Sequence, residues 1–326
     1  MPPPTQTGFS TMTFAAAPDP AYALMRDWTQ RWSDLESDLA RLLLHPHADS
    51  NFCTRLQTLQ KQAHGLLQID PDASLYWLLQ LAASTSIGYS SSHALVCWAL
   101  SRLVAPSLDC PPAQQLSLAH AALTMNIAMT QLQNTLAEQP HEPGAEQRAA
   151  IDTHAARSAQ WLRELGVTDA DWLHMVELHH ELQDDLDTPT RLLQAVDRYA
   201  AQISPRESRA GRCVTDSGRQ AVVAHSQGAV NAIGHALLRT VGICPPGSFV
   251  RLEDESTAVV LRRSDRPDAP WVASVLDAAG APLAEPTLID TRIDGCGIAA
   301  ALVAQTVRVR LNHARLLHLS RIALAH

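Results

Sequence analysis

From Pro112 to Gln139 the chain reads PAQQLSLAHAALTMNIAMTQLQNTLAEQ, with Glu138 as its single Asp, Glu, Lys or Arg. A surface helix keeps a polar stripe for water, so a stretch without one must be covered on most sides. Pro111 and Pro112 open it in the manner of a helix start. The sequence therefore predicts one long central helix inside a larger helical body.

The covering helices are legible nearby. Leu35, Leu39, Leu42 and Leu43 recur at helical spacing, and Leu56, Leu59, Leu66 and Leu67 repeat the pattern. Asp70-Pro71-Asp72 breaks the chain and caps ASLYWLLQLAAS, and Ser91 and Ser92 stand as caps for HALVCWALSRLV. After the loop EQPHEPGAEQ come the helices IDTHAARSAQWLRELG, TDADWLHMVELHHELQ and TPTRLLQAVDRYAAQIS, with Thr168 and Thr188 at the starts of the last two. Past PPGSF the texture changes to short runs, FVRLED, STAVVLRR and WVASVLD, separated by turn residues, which is the pattern of a small antiparallel sheet. The stretch from Ile298, with Leu302, Val303, Leu316 and Leu317, reads as a closing helix.

Composition bounds the function. The 326 residues predict roughly two domains at about 150 residues each. A net charge of −8 argues against a grip on nucleic acid, because each phosphate contact needs its own Lys or Arg. The six cysteines, Cys53, Cys97, Cys110, Cys213, Cys244 and Cys296, form no CxxC pair and read as small buried hydrophobes rather than a disulfide frame. Residues 1–20 carry five prolines and read as a loose tail. No apolar run approaches the roughly 20 residues of a membrane helix, and the start lacks a secretory pattern, so a cytoplasmic protein is expected.

Several residues fall in an order that resembles the HD-GYP domain, a bacterial family of metal-dependent phosphodiesterases that open cyclic di-GMP. The resemblance runs over roughly residues 85–262. It is carried by His93 in SSHALVCWAL, AALTMNIAM where the family has "ALLHDIGK", His154 in IDTHAARS, and His179, His180 and Glu181 in ELHHEL. Asp197 in LLQAVDRYAAQ and the trailing GICPPGSFVRL complete it. The resemblance implies His93, His154, His179, His180 and Asp197 as metal ligands in a site that in the family carries two or three metals. It also implies Arg206 and Arg209 as holders of ligand phosphates.

Departures fall in the chemistry itself. The family's paired His-Asp is here Met125 and Asn126, its following Lys is Met129, the acidic residue one turn before His93 is Tyr89, and the GYP loop is missing. Paired-metal hydrolysis needs two cations about 3.5 to 4 Å apart and a carboxylate between them. Asn126 is neutral, and Met125 offers a soft thioether to hard iron, manganese or magnesium. Each histidine taken alone reads as a solvated or hydrogen-bonded residue, since the chain has 15 of them. Arg206 and Arg209 alone read as a charged helix end.

AVVAHSQGAVNAIG offers a rival reading, a hydrolase elbow with Ser226 as nucleophile and Asp277 or Asp290 and His313 as partners. Ala224 replaces the elbow's first glycine and the preceding residues are helical, so a helix through Val223, Val230, Ile233, Leu237 and Leu238 is preferred.

The expectation is a mostly α protein. A tail (1–20) and a helical region (21–88) precede an HD-GYP-like helical bundle (89–244), a small β extension (245–297) and a C-terminal helix (298–326). Its function is expected to be that of a degenerate signalling or interaction module with protein partners, no or weak mononuclear iron or manganese, and weak cyclic dinucleotide binding. The alternatives are an active cyclic di-GMP phosphodiesterase and a serine hydrolase.

Overall fold

The computed structural model describes residues 20–48, 50–84, 88–181, 185–204, 207, 215–216 and 229–325. The expected tail up to residue 19 lies outside these, as do Cys213, Arg206, Arg209, Ala224 and Ser226.

Helices dominate. α1 (Pro20–Leu44) and α2 (Phe52–Ile69) turn their leucine stripes and the edge-stacked Trp28 and Trp32 into the core, and α3 (Pro71–Ser84) follows at once. Asp70 caps α3 as expected, its carboxylate accepting the Ala73 amide at 3.0 Å. α4 (Tyr89–Val104) is buried over nearly its whole length, from Tyr89 through Ser101. It is covered by α1, α3, α5 (Pro112–Thr124), α6 (Thr130–Glu138), α9 (Thr188–Ile203) and α10 (Ala229–Val241).

The expected central helix is thus corrected. The uncharged stretch is broken by a 3-10 turn over Ile127–Met129, and it is α4 that occupies the centre. Asn126 and Met129 leave helical geometry, and the Thr130 hydroxyl turns back onto the Asn126 and Ile127 carbonyls. Apolar character told that the segment is covered, not that it is continuous.

Helix starts shift by a residue or two. α4 begins at Tyr89, after Gly88 in the left-handed region, which places Ser91 and Ser92 inside the first turn. α7 spans Ala145–Glu164. α8 (Ala170–Leu178) and α9 are capped by Asp169 and Asp187, which accept from the Trp172 and Thr190 amides, rather than by Thr168 and Thr188. A carboxylate beside a threonine is the better partner for the positive end of the helix.

The β extension is a five-stranded antiparallel sheet. β1 (Phe249–Leu252), β2 (Thr257–Arg262), β3 (Trp271–Leu276), β4 (Pro282–Asp290) and β5 (Ile298–Leu302) lie in the order β4-β3-β2-β1-β5. Phe249, Val259, Leu261, Ala273 and Val275 join the helical core, while Val250, Leu252, Ala258, Val260 and Val272 pack on the other face with Cys244. Residues 298–302, expected as helix, pair with β1, and only α11 (His313–Ala323) is helical beyond them. Ala-rich residues favour a helix locally, and an open strand edge overrides that preference.

Two contacts dock the sheet on α3. Gly247, at φ 94°, sits so close that a Cβ there would lie 2.9 Å from the Tyr76 carbonyl oxygen. Arg262, on β2, reaches Asp70, donates to Asp72 at 3.2 Å and donates to the Ser320 carbonyl of α11 at 3.0 Å. Among the described residues all cysteines are free, and no helix is long and apolar enough to cross a membrane.

Candidate metal-ligand clusters

Four helices bring His93, His154, His179, His180 and Asp197 into two clusters. In the first, α4 and α9 face each other, and His93 Nε2 lies 2.9 Å from Asp197 Oδ1. Cys97 follows His93 by one helical turn, so both point to the same face of α4. Its Sγ lies 3.5 Å from His93 Nε2, and its thiol donates to the Val196 carbonyl. All three residues are buried. Tyr89 stacks nearly parallel on the His93 ring, so the residue standing where the resemblance implies an acid is an apolar lid. His93 Nδ1 is buried without a hydrogen-bond partner.

The second cluster joins α7 to the end of α8. His154 Nδ1 lies against the Ile151 carbonyl, and His179 Nδ1 is 2.7 Å from the Val176 carbonyl. A carbonyl can only accept, so each Nδ1 carries the proton and, in a neutral ring, each Nε2 is left as a lone pair. The two Nε2 atoms face each other at 3.1 Å. Two lone pairs repel at that distance unless a proton or a cation lies between them. His180, exposed at the rim, brings its ring centroid to 4.9 Å from His154 and 4.1 Å from His179.

Electrostatics follow from burial. Burial, helped by the neighbouring His180, pulls His179 down to about 3, against the opposing pull of Asp197. His154 is lowered for the same first reason, with the Ile151 carbonyl opposing. Burial pulls Asp197 upward, but the hydrogen bond from His93 and the surrounding imidazoles outweigh it and hold the carboxyl below its usual range. Burial and the Asp197 charge push the Cys97 thiol well up. Gln194, one turn before Asp197, ties α9 to the end of α8 by donating to the Leu178 and Glu181 carbonyls.

Met125 and Met129 are buried and Asn126 is half-buried in the broken segment. Met125 and Asn126 border a small cavity with Ser90, Ala94 and Gln133. Ser158, one turn beyond His154, accepts the Ala128 amide at 3.1 Å and so holds the 3-10 turn against α7. Among the described residues Asp197 is the one carboxylate in the two clusters, and it is hydrogen-bonded to His93. These residues do not fit a paired-metal centre, which needs a carboxylate shared between the ions. Three imidazoles do fit one ion.

The sequence reading missed Cys97. Its signal was the four-residue spacing of His93 and Cys97 in HALVC, which places imidazole and thiol on one helix face. Asp277, Asp290 and His313, named as partners of Ser226, are engaged in other contacts: Asp290 pairs with the neighbouring Arg292, Asp277 accepts turn amides and His313 meets the Tyr76 hydroxyl of α3 at 2.9 Å.

Comparison with known proteins agrees on the fold. No protein-family profile matches the chain, and no curated protein does. A solved HDG"Y"P protein from Bdellovibrio bacteriovorus superimposes with a TM-score of 0.51 over 69% of this chain and 73% of its own, at 12% sequence identity. The chain has an HD-GYP-like helical fold with a small antiparallel sheet near the C-terminus.

Proposed function

We propose that this chain is a catalytically degenerate HD-GYP-like module that acts in signalling through protein partners rather than by cleaving cyclic di-GMP. The observation that carries the reading is the fate of the carboxylates. Asn126 stands where the family resemblance calls for the bridging Asp, and Asp197 is hydrogen-bonded to His93. Without a second carboxylate no pair of cations is neutralised and no water is activated between them. Met129 also removes the positive charge beside a phosphate.

His154, His179 and His180 retain the donors for one ion, and iron or manganese held there by imidazole alone is weak. Such an ion would polarise a bound oxygen. The chain's own part is limited to orienting the two buried rings through the Ile151 and Val176 carbonyls. With Arg206 and Arg209 as the phosphate-holding residues and no paired metal, a cyclic dinucleotide binds weakly and with strong dependence on salt. On this reading residues 89–244 form the HD-GYP-like unit of a cytoplasmic protein.

The test is hydrolysis of cyclic di-GMP by the full chain supplied with manganese or ferrous iron. No measurable turnover is expected. Turnover that disappears in His179→Ala would overturn the reading and establish the phosphodiesterase in its place. The double change Met125→His with Asn126→Asp is expected to leave the chain inactive, because Tyr89 still covers His93.

A further inference from the structure

We propose that His93, Cys97 and Asp197 form a site for a single zinc ion that pins α4 to α9, separate from the three-histidine cluster. The donors are an imidazole nitrogen, a thiol sulfur and a carboxylate oxygen, whose ligand atoms all lie within 4.8 Å of one another.

Geometry separates this arrangement from a catalytic relay. In an acid–imidazole–thiol relay the carboxylate holds one ring nitrogen and the thiol the other. Here Asp197 Oδ1, at 2.9 Å, and Cys97 Sγ, at 3.5 Å, both approach the same nitrogen, His93 Nε2. Three donors converging on one point are the outline of a coordination shell. Zinc bonds of about 2.05 Å to nitrogen and about 2.3 Å to sulfur, at a tetrahedral angle, place N and S about 3.5 Å apart and N and O about 3.3 Å apart. The first separation is met as it stands, and the second needs an opening of a few tenths of an ångström.

Charge and softness select the ion. Thiolate, carboxylate and neutral imidazole around a dication sum to zero, which suits a site buried on every side. A thiolate is a soft ligand that favours zinc over iron, manganese or magnesium. Cys97 and His93 occupy successive turns of one helix and Asp197 the facing helix, so the ion crosslinks two elements of the core. The Tyr89 ring against His93 closes the site from one side. Three protein donors leave one tetrahedral position for water.

The inference does not depend on whether cyclic di-GMP is cleaved, because its test reads bound metal. The full chain, expressed with added zinc and purified without chelator, is expected to carry about one zinc per chain by elemental analysis. Replacing that zinc by cobalt(II) is expected to produce a near-ultraviolet thiolate-to-cobalt charge-transfer band. Cys97→Ser, nearly the same size, is expected to abolish the band and weaken zinc binding about 100-fold or more, since even losing a ligand's supporting partner costs about 10- to 100-fold. His154→Ala is expected to leave the band in place. Circular dichroism confirms that each variant is folded, and Cys97→Ala provides a second thiol-free chain if Cys97→Ser does not fold. Absence of zinc, a band that survives loss of Cys97, or a band lost with His154→Ala would each overturn the proposal. Recovery of iron or manganese in place of zinc would do the same.

Discussion

Replacing Arg262 by methionine tests how the sheet is held to the helical body. The Arg262 side chain is 8% exposed, and its guanidinium faces Asp70 and Asp72, which are 14% and 11% exposed. Removing one partner of a buried ion pair costs about 3–5 kcal/mol, mostly through the charge left behind. Asp72 keeps Arg263 and Asp70 keeps the Ala73 amide, so the lower end applies. The Ser320 carbonyl loses its donor, which adds roughly 1 kcal/mol. The expected loss is therefore about 4 kcal/mol, read as a lower urea midpoint at unchanged slope. If stranded charge is the cause, adding Asp70→Asn and Asp72→Asn to Arg262→Met restores part of that loss. A single variant within about 0.5 kcal/mol of the parent, or a triple variant less stable than the single one, would refute the reasoning.

Three further outcomes are expected. Gly247→Ala loses about 2 kcal/mol or more in urea unfolding, because φ is 94° and the new Cβ meets the Tyr76 carbonyl; an unchanged midpoint would contradict the close docking of the Pro245–Gly247 turn. His120, buried against Trp172, is held neutral with its pKa below 6.5 mainly by burial, so only the unfolded chain gains its proton as the pH drops below about 6.5. Its contribution is present above that pH and lost on acidification, and His120→Gln should flatten the fall in urea stability between pH 7 and 5.5 by up to about 1.4 kcal/mol per pH unit; an unaltered slope would remove His120 from the account. A fluorophosphonate probe leaves the chain unlabelled, since the described sheet is antiparallel and lies wholly after Ser226; stoichiometric labelling lost in Ser226→Ala would reverse this.

Much of the architecture was legible because burial leaves a periodic trace. The leucine spacing of α1 and α2, the Asp70 cap and the short runs between turn residues that mark the sheet all rest on local chemistry. The central position of α4 was not legible. Its serines and His93 look polar in sequence, but several of their polar atoms find partners inside the protein, as the Ser91 hydroxyl does at Glu36, the Ser92 hydroxyl at the Tyr89 carbonyl and His93 Nε2 at Asp197. Strand β5 was hidden because its partner β1 lies almost fifty residues earlier, beyond any local pattern. At the candidate site the histidines were found by order along the chain. Their division into two clusters depends on how α4, α7, α8 and α9 cross, which no residue spacing records.

The hydrogen bond between Tyr76 and His313 joins residues 237 positions apart, in a chain where α11 packs against α1, β2 and β3. A polypeptide emerging from a ribosome makes α1 and α3 long before the helix that seals them. Until synthesis passes Ala323, the places later filled by Leu316 and Leu317 stay open to solvent. Packing of the earliest-made helices is therefore completed only once α11 has emerged, and the interval leaves apolar surface available to holding chaperones.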